Sequence, residues 1–296
     1  MNVLVTGGAG FIGSHLTDAL VSDHDVTVLD DFSSGRRANV HPSARVVEGD
    51  VRDERRLDEV VGGADVVFHQ AASVSVDRSV EDPTGSHAVN VDATLSLLEA
   101  ARRHDVRCVL ASSAAIYGRP ESVPIPESMP KDPESPYGIE KLSVDQYARV
   151  YNDLYDLPTV ALRYFNVYGP RQTAGDYSGV ISVFLRQALE DEPITVHGDG
   201  SQTRDFVHVD DVAQANLLAM ETDRVGEAYN VGTGETTTID ALARTIRDVT
   251  GSDSEIVHTE GRAGDVDRSR AAIEKARQHL GYEPTVTLED GLRTLA

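Results

Sequence analysis

Thr6-Gly7-Gly8-Ala9-Gly10-Phe11-Ile12-Gly13-Ser14 is the stretch that decides the fold. It follows a short apolar run, Asn2–Thr6, that reads as a buried strand, and it leads into residues 14–21, which read as a helix. Strand, glycine turn and helix in this order are the context a dinucleotide-binding turn requires. The glycines let the backbone turn tightly and approach a pyrophosphate, whose charge then sits at the helix N-terminus. The spacing is G-x-x-G-x-x-G rather than G-x-G-x-x-G, and glycine spacing alone is a weak signal. It gains from residues 26–29, a second apolar run ending in Asp30-Asp31. A carboxylate about 20 residues beyond the glycines can accept the hydroxyls of an adenosine ribose; the other reading is a solvated loop. A 2′-phosphate would be repelled by this pair, which therefore favours NAD over NADP.

The alternation continues downstream. Residues 45–48 read as a strand running into Gly49-Asp50-Val51, where Asp50 can reach an adenine amino group. Residues 65–69 run into Gln70-Ala71-Ala72, small residues suited to a wall against a flat cofactor. A long helix over 88–103 contains Asn90, and strands follow at 107–112 and 159–164. Strands alternating with helices predict a doubly wound, Rossmann-type parallel sheet with right-handed crossovers. Ligands of such sheets bind beyond the carboxyl ends of the strands, where Gly7, Asp30, Asp50, Ala71 and Ser112 all fall. After residue 167 the alternation loosens. Helices are expected at 181–189, 212–220, 271–280 and 288–295, and a strand at 194–197. We therefore expect an NAD-binding domain over 1–166 and a smaller mixed α/β domain over 167–296 that holds substrate.

Pro136-Tyr137-Gly138-Ile139-Glu140-Lys141 carries the chemistry. Ser135 is a good N-cap and Pro136 suits the first helical position. Tyr137 and Lys141, four apart, then share one helix face. A free phenol has a pKa of about 10. An ammonium at about 4 Å, with an effective dielectric of about 20, favours the phenolate by roughly 4 kcal/mol. That is up to about 3 pKa units before desolvation is subtracted, enough to bring Tyr137 near neutrality as an acid–base group. A surface tyrosine and lysine meeting by chance would show the same spacing; the preceding nucleotide-binding pattern argues for the pair. Ser113, at the end of the fifth strand, can hydrogen-bond a substrate hydroxyl near the phenol, or can simply form a turn. Residues 120–136 are proline-rich and acidic, a surface loop over the site.

Composition narrows the classes. With 27 basic and 49 acidic residues the net charge is −22. This argues against binding nucleic acid through a basic face. Lysine occurs only at 131, 141 and 275. An acidic, lysine-poor surface suits a high-salt cytoplasm, although an ordinary acidic protein would look similar. The single cysteine, Cys108, sits in an apolar run and reads as a buried strand residue. One cysteine excludes an internal disulfide and a cysteine-cluster metal site, and no metal is expected. A strand begins at the N-terminus, so no signal peptide is expected, and no apolar run approaches the roughly 20 residues of a membrane helix. A cytoplasmic protein is expected.

Six motifs run nearly end to end: T-G-G-A-G-F-I-G-S-H, S-S-A-A-I-Y-G, P-Y-G-I-E-K, R-Y-F-N-V-Y-G-P-R, G-D-G-S-Q-T-R-D-F-V-H-V-D-D-V and R-x-G-D. On these, residues 3–291 resemble the extended short-chain dehydrogenase/reductase family, and more narrowly the nucleotide-sugar 4-epimerases of the UDP-glucose type. The resemblance implies that Gly7, Gly10, Phe11, Ile12, Asp30, Asp31, Asp50, Val51, Gln70, Ala71, Ala72, Asn90, Tyr137, Lys141 and Phe165 contact NAD. It implies that Ser113, Tyr137, Asn166, Arg204, Arg262 and Asp265 hold a nucleotide diphosphate sugar. Two arginines suit a diphosphate, whereas Arg204 alone would also suit an ion pair with Asp205 or Asp199. The implied reaction is a transient oxidation at sugar C4, with Tyr137 taking the hydroxyl proton and Ser113 bonded to the same oxygen. Related 4,6-dehydratases carry Asp-Glu after the fifth strand, and UDP-glucuronate decarboxylases usually carry Glu. Ala114-Ala115 here lacks that chemistry, while a 4-keto-sugar reductase or an NAD-binding sensor stays open. Ser269 matches a position that gates N-acetyl sugars, so UDP-N-acetylglucosamine is an expected substrate beside UDP-glucose. A homodimer is expected through residues 95–101 and 142–150.

Overall fold

The computed structural model describes residues 1–172, 179–261 and 266–296. Its first half alternates as the sequence predicts. β1 (Asn2–Thr6) leads through the glycine turn to α1 (Phe11–Leu20), then to β2 (Asp25–Asp30) and β3 (Arg45–Glu48). α2 (Glu54–Val61), β4 (Val66–His69), the short helices α3 (Val76–Glu81) and α4 (Pro83–His87), and α5 (Ala93–His104) follow. β5 (Arg107–Ser113), α6 (Pro136–Tyr155) and β6 (Thr159–Tyr164) complete the run. Every residue of β4 and β6 is buried, as expected of parallel strands covered on both faces. Leu16 and Leu20 of α1 pack on one face, and Leu57, Leu97, Leu98 and Val144 on the other. Cys108 is among the buried strand residues.

Past residue 166 the chain builds small pairs and then returns. β7 (Asn166–Tyr168) pairs in parallel with β10 (Phe206–His208), and β8 (Ile194–His197) with β13 (Ile256–Thr259). β9 (Thr203–Arg204) pairs antiparallel with β12 (Thr237–Thr238). Helices α7 (Val180–Leu189), α9 (Ile239–Thr250) and α11 (Leu288–Arg293) enclose a second core around Phe184, Ile194, Leu242, Ile246 and Leu292. Between these pieces, α8 (Val209–Glu221) and β11 (Glu227–Val231) rejoin the first half, and α10 (Glu274–Leu280) lies near the C-terminus. β11 pairs with β6 in parallel, so the main sheet has seven strands in the order β3-β2-β1-β4-β5-β6-β11. The expected boundary at 166/167 falls within β7, just past the end of β6, and residues beyond it supply the sheet's last strand.

Two further differences are local. The helix expected from residue 88 opens as a turn of π-helix, Ala88–Asp92, before α5 proper. Such a turn is a common feature of functional regions. α10 begins at Glu274 rather than 271, because Ala271 is held in extended pairing with Ile125. No helix among the described residues is long and apolar enough to cross a membrane.

Candidate active site

The turn after β1 is as tight as its glycines allow. Gly7 has φ of +68°, and a Cβ on it would lie 2.7 Å from the Ala71 amide nitrogen. A Cβ on Gly13 would lie 2.2 Å from the Gly7 carbonyl oxygen. β1, β4 and α1 therefore meet with no room for a side chain. Gly10 caps α1 without any side-chain hydrogen bond, which leaves first-turn amides available to an anion.

A cavity of about 750 Å³ opens at the carboxyl edge of the sheet. Gly7, Gly10, Phe11, Ile12, Asp30, Asp31, Asp50, Val51, Gln70, Ala71, Ala72, Ser113, Tyr137, Lys141 and Phe165 all line it. The expected residues from six separate strand ends and α6 are thus brought together. Asp30 accepts from the Ala9 amide at 2.9 Å and the Phe32 amide at 2.8 Å; burial nonetheless pushes its carboxyl pKa up. Asp31 accepts from the Ser33 amide and hydroxyl at 2.9 and 2.6 Å. Asp50 is held by the Arg52 guanidinium, which keeps its carboxyl below the usual range. Gln70 is fixed by Tyr164 and Asn216, each at 3.1 Å.

The other expected residues lie elsewhere. Asn90 is buried behind the wall: its Oδ1 accepts from the Ser73 amide at 2.8 Å and its Nδ2 donates to the Ser73 carbonyl at 2.9 Å. Its place is to hold Ser73, which does line the cavity. The Asn166 side chain donates to the Asp205 carbonyl at 3.0 Å. Arg204 donates to the Thr203 and Val266 carbonyls. Neither forms part of the cavity wall, and Arg262 and Asp265 lie outside the described residues.

Ser113, Tyr137 and Lys141 form one cluster. The Ser113 hydroxyl accepts from the Ala115 amide at 3.2 Å and lies close enough to the Tyr137 phenol to favour its charged form. Ser135 caps α6 by accepting from the Gly138 amide, with Pro136 in the first turn, as the sequence predicts. Lys141 Nζ lies 5.9 Å from the Tyr137 ring centroid and donates to the Ala111 carbonyl at 2.9 Å. The electrostatics depart from expectation. Burial pushes Tyr137 up to about 12, Ser113 opposing and Glu140 adding to the shift. Burial likewise pushes Lys141 down to about 8. Lys141 does not draw the phenol toward neutrality here, because desolvation dominates both groups.

Sequence reasoning missed the support beneath this cluster. Arg163 of β6 and Asp145 of α6 are fully buried and joined at 2.7 and 2.8 Å. Arg163 also donates to Tyr117 Oη at 2.8 Å, and Tyr117 to Asn230 of β11 at 2.7 Å. An arginine inside an otherwise apolar strand was the available signal. The fit to a dinucleotide is supported by the glycine cradle and by Ser112 Oγ. That hydroxyl is buried in the cavity wall and has no hydrogen-bond partner among the described residues.

A parallel sheet with a glycine turn after its first strand and a cavity across its carboxyl edge defines a Rossmann-type dinucleotide-binding protein. The chain matches the NAD dependent epimerase/dehydratase family over residues 3–232 and belongs to that family. It is 40% identical over 301 residues to the UDP-glucose 4-epimerase of Mycolicibacterium smegmatis, covering 99% of this chain and 96% of the relative. Among solved structures it is similar to the UDP-glucose 4-epimerase of Thermotoga maritima with UDP-glucose. That likeness has a TM-score of 0.96 at 41% identity, over 99% of this chain and 97% of the other. It is also similar to the Thermus thermophilus UDP-glucose 4-epimerase complex with NAD. There the TM-score is 0.92 at 39% identity, over 99% and 97% of the two chains.

Proposed function

We propose that this protein interconverts the C4 epimers of a nucleotide sugar, UDP-glucose and UDP-galactose foremost, with NAD as its cofactor. The observation that carries the reading is the convergence of Ser113, Tyr137 and Lys141 on the cavity that the glycine turn and Asp30 also line. NAD, when bound, supplies a hydride acceptor for C4 and a positive ring charge. The chain supplies the proton chemistry. Tyr137 takes the proton of the 4-hydroxyl and returns it, and Ser113 holds the same oxygen. Lys141 is anchored on Ala111, and its ammonium together with the nicotinamide charge would offset the burial that holds the phenol up. Ala114 and Ala115 offer no carboxylate for dehydration or decarboxylation.

Asn166, Arg204, Arg262 and Asp265 are the proposed contacts of the nucleotide diphosphate sugar. Ser269 is half-buried beside β9, its amide donating to the Thr203 carbonyl at 3.1 Å. Its small side chain supports acceptance of an N-acetyl sugar. The division at 166/167 stands as a proposal about which half binds which ligand. A homodimer through the α5 and α6 faces is supported by exposed Ile139, Val150, Leu154 and Tyr155. A high-salt setting is supported by the net charge of −22, whose self-repulsion salt screens.

The test is incubation with a panel of nucleotide sugars. C4-inverted product without net change in NAD is expected. A keto product released with stoichiometric NADH would mark a dehydrogenase instead. Tyr137→Phe should lower turnover by about 10²–10⁴ while NAD still binds; an NAD-dependent sensor would be indifferent to it.

A further inference from the structure

Glu140 sits between the two acid–base residues in sequence and has no task in the scheme above. We propose that its carboxylate is the counter-charge of Lys141 and the peg that registers α6 against the cavity wall. The inference rests on the function proposed above.

Lys141 is 5% exposed and Glu140 2%. The acceptor that holds Lys141, the Ala111 carbonyl, is neutral. A buried ammonium needs a nearby opposite charge to remain protonated. Glu140 is the next residue along α6 and is buried with Lys141, so its carboxylate acts on the ammonium with little screening and favours the charged form. Among the described residues it makes no direct ion pair. Its Oε2 accepts instead from the Ser86 hydroxyl at 2.8 Å and from Asn90 Nδ2 at 2.6 Å. Both donors are neutral, so the carboxylate is fixed in place while its charge stays available to the helix. Asn90 then grips Ser73 by amide and carbonyl, and Ser73 lines the cavity. One carboxylate thereby links the acid–base helix to the wall.

The other charged or titratable groups around α6 have partners of their own or face solvent, Arg78 and Asp82 doing so on the wall of the same cavity. His69 of β4 is kept neutral by burial, with Thr6 and Thr94 on its two nitrogens. Burial pushes the Cys108 thiol of β5 up to about 12. Arg163 of β6 is taken by Asp145, and Tyr117 donates to Asn230. Glu99 of α5 serves Arg102 and Tyr151. Glu227 of β11 pairs with Lys275. Asp77, Arg78 and Glu81 of α3, with Asp82 and His87 beside and on α4, are exposed.

The presence of only three lysines makes the test direct. Protein labelled with carbon-13 at lysine Cε gives three side-chain signals, which are followed against pH. In Glu140→Gln the Lys141 midpoint should fall by on the order of one pH unit, with Lys131 and Lys275 unmoved. Glu140→Ala serves, with the same expected fall, where Glu140→Gln does not fold. Ser86→Ala removes a donor but not the charge, and should leave the midpoint in place. An unmoved midpoint in the Glu140 variant overturns the proposal. So does an equal fall in Ser86→Ala, which would make the effect one of packing. The readout needs no turnover, so an inactive protein with a shifted Lys141 would refute the proposed reaction and leave this inference standing.

Discussion

Arg163 and Asp145 face each other through two parallel hydrogen bonds, at 1% and 0% side-chain exposure, directly under the acid–base helix. The pair ties β6 to α6 where no water can replace a lost partner. Removing one member leaves the other charge buried, which costs about 3–5 kcal/mol. Asp145→Asn should therefore lower unfolding free energy by that amount in denaturant titration. Asp145→Leu combined with Arg163→Met should lose less, because no charge remains inside. Equal losses in the single and double variants would show that the guanidinium's other bonds, to Tyr117 and the Glu127 carbonyl, matter more.

Burial pushes His69 down to about 3, so it stays neutral while its unfolded counterpart titrates near 6.5. Between those values the unfolded chain binds the extra proton. Stability is therefore fully present above about pH 6.5 and falls on acidification, by up to about 1.4 kcal/mol per pH unit from this group. His69→Gln keeps hydrogen-bonding capacity between Thr6 and Thr94 without the proton site. Its unfolding free energy should decline less steeply than that of the native chain between pH 6 and 4, at the range where about one proton separates the states. Parallel slopes would refute the assignment.

A methyl on Gly13 would meet the Gly7 carbonyl oxygen at 2.2 Å and Gly8 Cα at 2.9 Å, both backbone. Neither can swing aside, so α1 must shift off the turn. Gly13→Ala should cost about 1–3 kcal/mol of stability and weaken NAD binding by about tenfold or more, read by calorimetry. Native affinity in this variant would argue that the cradle is not where the pyrophosphate lies.

Substrate breadth turns on Ser269. Ser269→Tyr should keep turnover of UDP-glucose and lose most turnover of UDP-N-acetylglucosamine, on the order of 10- to 200-fold for one filled pocket. Matched assays of both sugars decide it, and equal turnover of the two by the variant would place the size gate elsewhere.

The parallel sheet was readable because each strand carries a strong local signal. Asn2–Thr6, residues 107–112 and Thr159–Tyr164 are apolar runs with turn residues after them, and every one is a strand. The cavity residues were readable for the same reason, since strand ends in this topology converge on one edge. The grip of Asn90 on Ser73 is not legible in the sequence, because it depends on a turn of π-helix that no local pattern announces. β11 was missed because Glu227-Ala228-Tyr229-Asn230-Val231 is short and polar-punctuated. Its strand state comes from pairing with β6, Glu227 opposite Val160 and Val231 opposite Tyr164. The direction of the Tyr137 shift was missed because spacing reports the ammonium but not the depth of the phenol.

That late strand constrains how the protein is made. A ribosome delivers β6 well before β11, so a nascent chain carries an open, mostly apolar sheet margin until residue 231 has emerged. Exposed margins of this kind recruit other chains. Synthesis halted or cleaved between residues 165 and 226 should yield aggregating fragments rather than a free-standing nucleotide-binding half, so in the cell this segment is the one chaperones must shield.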